Sequence, residues 1–100
     1  KAAHWYRKAA DQGYANAQFN LGSMNREGEG VPQDSKKAAH WYRKAADQGH
    51  VRAQFSLGTM YLDGKGVAQD YNEAVRWHRK AADQGDSDAQ FNLGVMYRKG

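Results

Sequence analysis

Histidine is the residue type in this chain best suited to holding a metal ion, and His4 and His40 occupy equivalent positions 36 residues apart. If helices stack at their usual spacing, the two rings lie about 10 Å apart. Metal ligands must all approach one ion within about 2.1 Å, so these two residues cannot share a metal. His78 stands where the two earlier copies of its segment have tyrosine, and we interpret it as a half-exposed packing residue. The sequence predicts no metal site and no cofactor.

Nucleophiles and phosphate-binding loops are the other chemistry to consider. Residues 28–30 and 64–66 read Gly-x-Gly, like the start of a phosphate-binding loop, but Gln33 and Gln69 stand in the place of the third glycine. Neither segment follows a predicted strand, as such a loop requires. The chain has no cysteine, and its serines occur in neither Ser-x-x-Lys nor Gly-x-Ser-x-Gly. We therefore predict no catalytic residue and no enzyme activity.

The elements that carry these residues recur with a period of 36 residues. Trp5, Trp41 and Trp77 stand at this interval, and residues 1–13 are identical to residues 37–49. A period of this length is typical of repeats that share a continuous core with their neighbours and form an extended stack. Such an architecture favours a binding surface over a catalytic pocket.

Each period contains two predicted helices, called here the first and the second helix. Apolar residues recur at helical spacing in both. Asp34 and Asp70 stand where N-caps are expected, and glycines follow the helices. The predicted first helices cover residues 15–27, 51–63 and 87–99, and the predicted second helices cover residues 1–12, 34–48 and 70–84.

These elements predict an all-α solenoid of antiparallel helix pairs. The whole chain, residues 1–100, forms one array in this interpretation. It consists of the second helix of a truncated repeat (1–14), two full repeats (15–50 and 51–86) and the first helix of a further truncated repeat (87–100).

Composition and charge limit the classes of partner that this chain can bind. The net charge is +4, with basic and acidic residues interleaved, so no dense basic block indicates nucleic-acid binding. No apolar run is long enough to cross a bilayer, so we predict no membrane insertion. The chain begins without Met and inside a repeat, and we interpret it as a fragment. Its compartment stays open between the bacterial envelope, secretion and the cytoplasm.

A specific motif runs through the repeats. The middle copy reads Ala53-Gln54-x-x-Leu57-Gly58-x-Met60-Tyr61 and continues through Gly64, Gly66, Val67, Asp70, Ala74, Trp77, Lys80, Ala81, Ala82 and Gly85. This pattern resembles the Sel-one-like repeat family, relatives of the tetratricopeptide repeats. The resemblance implies a right-handed solenoid that acts as an adaptor or scaffold, often bacterial and not as a rule catalytic. One position departs from the pattern, because the first copy has Asn25 where the later copies have tyrosine.

The aromatic residues are predicted to divide between core and surface. We assign the three tryptophans to the core, since each shares a helix face with alanine. Phe19 falls about 160° from Leu21 on a helical wheel, so it points away from that core. The surrounding face varies between copies, and we expect it to line a concave groove. Its candidate binding residues are Asn16, Phe19, Ser23, Arg26, Arg52, Phe55, Thr59, Leu62, Asp88, Phe91, Val95 and Arg98.

Each of these surfaces leaves an alternative open. The phenylalanines can also pack on the adjacent first helix within the inner face of the solenoid. Arg7, Arg43 and Arg79 each precede an aspartate by four residues, so this basic stripe is either a set of exposed ion pairs or a row of sites for an anionic ligand.

The function hypothesis is a non-catalytic scaffold that binds a protein or peptide along the groove. Two alternatives are a cell-envelope-directed hydrolase or ligand-binding module, and a purely structural or consensus-engineered array. We also expect head-to-tail self-association, because the chain opens with a second helix and closes with a first helix.

Overall fold

The computed structural model describes residues 2–99, and Lys1 and Gly100 of the predicted array lie outside them. The described part contains six α-helices and no strand. Their bounds are Ala2–Asp11 (α1), Ala15–Glu27 (α2), Ser35–Asp47 (α3), Val51–Asp63 (α4), Tyr71–Asp83 (α5) and Ser87–Lys99 (α6). The helix pairs predicted from the sequence are confirmed, with α2, α4 and α6 as first helices and α1, α3 and α5 as second helices.

Side chains and glycines set the helix ends. The carboxylate of Asp34 accepts a hydrogen bond of 3.1 Å from the Lys37 amide at the start of α3, and Asp70 caps α5 in the same way. Gly28 closes α2 with φ 77°, a left-handed conformation that glycine adopts without steric cost. The predicted N-caps are therefore confirmed.

The six helices stack in chain order, and each packs against the helix before and after it. The resulting body is elongated, measuring 44 × 23 × 16 Å along its principal axes. A stack of helix pairs with nearest-neighbour packing is a helical solenoid, as the repeat period predicts.

The core is formed by alanines that pack around a buried tryptophan, in the same way in two successive repeats. Trp41, only 7% exposed, packs with Ala10, Ala17 and Leu21 of the two preceding helices. Trp77 occupies the corresponding place one repeat later. The assignment of Trp5 to the core is wrong, because its side chain is 67% exposed. The tryptophans pack on the preceding helix pair, and no helix precedes α1 in the described residues.

Buried glutamines join the turns between helices. The Gln18 side chain donates to the Ala10 carbonyl at 3.2 Å and accepts from the Gln48 amide at 2.8 Å. Gln54 and Gln84 repeat the side-chain pair at 2.8 Å one repeat later. Gln54 donates in the same way to the Ala46 carbonyl, so the two buried glutamines of the Ala-Gln motif each satisfy a helix-end carbonyl inside the stack.

Candidate protein-interaction surface

The twelve candidate binding residues lie on α2, α4 and α6, and we call them the first-helix face. None of them is buried. The residues from Asn16 to Arg26 lie on α2, those from Arg52 to Leu62 on α4, and those from Asp88 to Arg98 on α6. Whether this face binds a partner remains the prediction made from the sequence.

The phenylalanines of the face are held by second helices and loops. Phe19 is half-buried, with its ring tilted 5.6 Å from Tyr42 and stacked 4.7 Å from His50. Phe55 stacks on His78 with ring centroids 5.1 Å apart. Phe91 is 72% exposed, since no second helix follows α6 in the described residues. The first two rings therefore pack mainly across their own helix pair, and each leaves part of its surface exposed.

Hydroxyl groups on the face orient the side chains beneath it. Ser23 Oγ lies 3.0 Å from the Tyr42 hydroxyl. Thr59 Oγ1 donates to the Phe55 carbonyl at 3.1 Å and lies 3.3 Å from His78 Nε2. Because one hydrogen-bonding side of each hydroxyl is already used, these two residues position the aromatic layer more than they present donors to a ligand.

His78 is buried, with 0% of its surface exposed, so the expectation of a half-exposed ring is wrong. The ring lies directly over Gly58, where a larger residue would push it outward. Burial lowers the pKa of His78, although the Phe55 backbone and the charge of Asp86 act in the opposite direction. A buried neutral ring is suited to packing.

Arg52 connects successive first helices through ion pairs. Its guanidinium lies 2.8 Å from the Asp86 carboxylate and 3.3 Å from that of Asp88. Burial raises the pKa of Asp86, but hydrogen bonds from the Ala89 amide and from Arg52 outweigh it and lower the pKa overall. The same guanidinium covers the Phe55 ring at 4.6 Å from its centroid. The Arg52 charge is therefore already satisfied within the protein.

His50 makes a similar link one repeat earlier. Its Nδ1 accepts from the Ala53 amide at 3.1 Å, which caps α4, and its Nε2 lies 2.9 Å from Asn16 Oδ1. Since Nδ1 accepts, Nε2 carries the proton and donates to Asn16. This cap could not be predicted from the sequence, because histidine is not among the favoured N-cap residues.

A small cavity joins two repeats beside the face. Its volume is about 200 Å³, and Arg26 of α2 and Thr59 of α4 both line it together with Ser56 and Lys65. Polar candidates of neighbouring repeats therefore meet around a common space. The lining combines the basic Arg26 and Lys65, the acidic Asp63 and the hydroxyl groups of Ser56 and Thr59.

Histidines 4 and 40 lie edge-on against the tryptophans that follow them. The ring centroids are 5.0 Å apart for His4 and Trp5, and 5.1 Å apart for His40 and Trp41. Within residues 2–99, no three histidine, aspartate or glutamate side chains gather closely enough to hold a metal ion. No helix in that range combines the length and apolar composition needed to cross a membrane.

The model of the Sel1 repeat family matches residues 1–14, 15–50, 51–86 and 87–100. The chain belongs to the Sel1 repeat family. Sel1 repeats commonly form protein-interaction scaffolds, and their period of about 36 residues is the one observed here. No curated protein matches the chain.

Solved Sel1 repeat structures superpose closely on this chain. A protective antigen of uropathogenic Escherichia coli strains that displays an SLR fold has a TM-score of 0.97 and 45% identity, over 98% of this chain and 21% of the antigen. A Sel1 repeat protein from Oxalobacter formigenes has a TM-score of 0.92 and 43% identity, over 95% of this chain and 39% of that protein. Helicobacter pylori cysteine-rich protein B has a TM-score of 0.86 and 31% identity, over 91% of this chain and 68% of that protein.

The chain therefore spans about a fifth of the antigen and about two fifths of the Oxalobacter protein. It shares the repeat architecture of these bacterial proteins over nearly all its length.

The tyrosine of the repeat motif, Tyr61 or Tyr97, makes a contact that was not predicted from the sequence. Arg43 donates to the Tyr61 hydroxyl at 3.0 Å, and Arg79 donates to the Tyr97 hydroxyl at 3.0 Å. Two of the three predicted ion pairs are also present, because Arg7 lies 3.5 Å from Asp11 and Arg43 lies 3.9 Å from Asp47, whereas Arg79 and Asp83 form no ion pair within 4.0 Å. Each arginine of the basic stripe in these two repeats therefore has a partner within the fold. The signal in the sequence was the constant 18-residue interval between arginine and tyrosine.

Proposed function

We propose that this chain is a non-catalytic scaffold that binds an extended segment of another protein along the first-helix face. The observation that carries the proposal is the row of Phe19, Phe55 and Phe91, one partly exposed ring at each repeat. Aromatic side chains are frequent anchors at protein interfaces because they bury a large area with few rotatable bonds.

The spacing of the rings suits an extended peptide. The rings stand on successive first helices, of which α4 is joined to α6 by the ion pair between Arg52 and Asp88, and an extended chain advances about 3.3 Å per residue. Successive rings therefore meet residues several positions apart in the bound segment. A partner with apolar side chains at that spacing would place each of them against one ring.

The residues around the rings supply selectivity. Asn16, Arg52 and Asp88 are equivalent positions that carry no charge, a positive charge and a negative charge. Charged residues at the rim of an interface act mainly on encounter and on the choice of partner. Asp88 stays 68% exposed although it lies 3.3 Å from Arg52, so its charge favours one direction of the bound segment.

Binding is a better description of this face than catalysis. Arg52 and Asp86 neutralise each other, and His50 serves as a helix cap. A hydrolase needs an activated nucleophile or a general base with a free proton site near the substrate. The polar groups nearest the Phe19 and Phe55 rings make structural contacts, whereas the more exposed Asp88 remains accessible to a partner, which supports a scaffold.

Selection of peptides from a random displayed library tests the proposal. We expect the selected peptides to lose about tenfold or more in affinity for Phe91→Ala, because a lost anchor costs about 2 kcal/mol. The melting temperature should barely change, since this ring is 72% exposed. Trp5→Ala is the matched control, because Trp5 is 67% exposed and lies on α1, a second helix. Peptides that bind Phe91→Ala and Phe55→Ala as tightly as the parent would contradict the proposal.

A further inference from the structure

The arginine–tyrosine contact has no counterpart in the first repeat unit. Arg7 and Asn25 occupy the positions equivalent to Arg43 and Tyr61. The Asn25 side chain is 5% exposed and donates to the Leu21 carbonyl of its own helix at 2.9 Å. It therefore turns back onto α2 and leaves the space beside Arg7 unfilled.

A cavity of about 320 Å³ lies at this position. It is lined by Arg7, Asn25, Leu21 and Trp41. The equivalent residues one repeat later are, in the same order, Arg43, Tyr61, Leu57 and Trp77. In that later repeat, Tyr61 packs against the cluster that contains Leu57 and Trp77. The register of the repeats thus places the cavity where the ring of a tyrosine lies in the next copy.

The residues that line the cavity are suited to an aromatic ring that carries one hydroxyl group. Leu21 and Trp41 provide apolar surface, while Arg7, His4 and Lys37 bring basic groups to the same cavity. Asp34 adds one carboxylate, which already accepts the hydrogen bond that caps α3. The Arg7 guanidinium lies 5.6 Å from the Trp41 ring centroid and 3.5 Å from the exposed Asp11 carboxylate. An i,i+4 pair on an exposed helix surface is weak, so it does not prevent Arg7 from donating to a ligand.

We propose that this cavity binds a phenolic ring, supplied by a tyrosine side chain of another polypeptide. The ring lies against Leu21 and Trp41, and its hydroxyl accepts a hydrogen bond from Arg7. The protein itself provides the precedent, because Arg43 and Arg79 make this contact with their own tyrosines at 3.0 Å. None of the twelve residues of the first-helix face lines the cavity, so this site is independent of the proposed groove.

Titration of the full chain with p-cresol, followed by amide and indole NMR, tests the site. We expect saturable shifts at Asn25 and at the Trp41 indole. Toluene, which lacks the hydroxyl, should bind about tenfold more weakly, since a hydrogen bond to a charged group is worth at least that factor. Arg7→Met should remove most of the difference between the two ligands. Equal binding of p-cresol and toluene to the parent would overturn the role of Arg7.

Two substitutions test whether p-cresol binds at the position that a tyrosine ring occupies in the next repeat. Asn25→Tyr fills the cavity as Tyr61 does, so it should abolish the p-cresol shifts. Tyr61→Asn should create a second p-cresol site beside Arg43 and keeps the test decisive if Asn25→Tyr fails to fold. Persistence of the original shifts in a folded Asn25→Tyr variant, or no new site in Tyr61→Asn, would overturn the assignment.

The source of the ring is tested with a capped Gly-Tyr-Gly peptide. Competition between this peptide and p-cresol for the same resonances supports a polypeptide partner. Binding of p-cresol without any binding of the peptide would identify a free phenolic molecule instead and overturn the polypeptide source.

Discussion

The ring of Tyr42 lies directly on Gly22, so that a Cβ atom built on this glycine would be only 2.9 Å from Tyr42 Cδ1. A real Cβ atom requires more space than this. The glycine therefore allows α3 to lie closely against α2. His78 uses Gly58 in the same way one repeat later, whereas Gly94 of α6 has no side chain above it in the described residues.

Gly22→Ala is expected to destabilise the protein by about 1–2 kcal/mol. Displacing a packed ring costs about 1–3 kcal/mol, and the gain of about 0.5–1 kcal/mol in helix propensity offsets part of that cost. Gly94→Ala receives the propensity gain without the clash, so it should stabilise by about 0.5–1 kcal/mol. Urea unfolding of dilute protein measures both changes. Two changes of the same sign would show that Tyr42 does not rest on Gly22.

Trp41→Ala is expected to lower the free energy of unfolding by about 3–5 kcal/mol, because it removes a buried indole from between two repeats. Trp5→Ala, on a side chain that is 67% exposed, should change it by less than about 0.5 kcal/mol. The pair is matched in residue type and in local sequence. Thermal unfolding at low protein concentration distinguishes them, and equal losses would contradict the assignment of Trp41 to the core.

The helices could be predicted from the sequence, but the surroundings of single residues could not. Periodicity and the capping residues Asp34 and Asp70 locate each element within the chain, because these signals are local. Trp5 and Trp41 have the same local sequence, yet only Trp41 is buried. Their difference arises from the preceding helix pair, which no helical wheel contains.

The surroundings of the candidate binding residues could not be predicted from the sequence either. The wheel correctly separates Phe19 from the face of Leu21, but it does not say which neighbouring element covers the ring. Tyr42 and His50 cover it from different parts of the chain. His78 was expected at the surface for the same reason, since its burial depends on the missing side chain of Gly58 on another helix.

Stability is expected to fall as the pH drops below about 6.5, the ordinary pKa of histidine. Burial lowers the pKa of His78 and of His50 in the folded protein. The unfolded chain therefore binds protons at these residues at a higher pH than the folded protein does. The stability is fully present above the unfolded pKa and is progressively lost below it. Urea midpoints at about pH 7.5 and about pH 5 measure the loss.

A double change identifies the residue responsible. His78→Tyr with Thr59→Ser reproduces the Tyr42–Ser23 pair, whose hydroxyls lie 3.0 Å apart, and removes one of the two imidazoles whose pKa is lowered. The pH dependence should become shallower in this variant, with the remainder due to His50. An unchanged dependence of stability on pH would show that His78 is not a source of the effect. The nearby charge of Asp86 favours protonated His78 and so opposes the lowering of its pKa by burial.

The two ends of the described chain expose complementary surfaces. Trp5 and Tyr6 of α1 are exposed at one end, and Phe91 and Tyr97 of α6 are exposed at the other. Inside the protein, the equivalent of Tyr6 is Tyr42, which packs between Phe19 and Gly22. In α6 the equivalents of those two residues are Phe91 and Gly94, and the space beside Gly94 is open.

Head-to-tail association at high protein concentration is therefore expected, with Tyr6 of one copy on Phe91 and Gly94 of the next. Such a contact repeats an internal interface between different surfaces and can continue along a filament. Tyr6→Ser should weaken the association by removing the inserted ring, while His40→Ser, which changes an exposed ring on α3 in the middle of the chain, should leave it intact. Light scattering across a concentration series measures both. A parent chain that stays monomeric throughout, or equal effects of the two variants, would contradict the predicted contact.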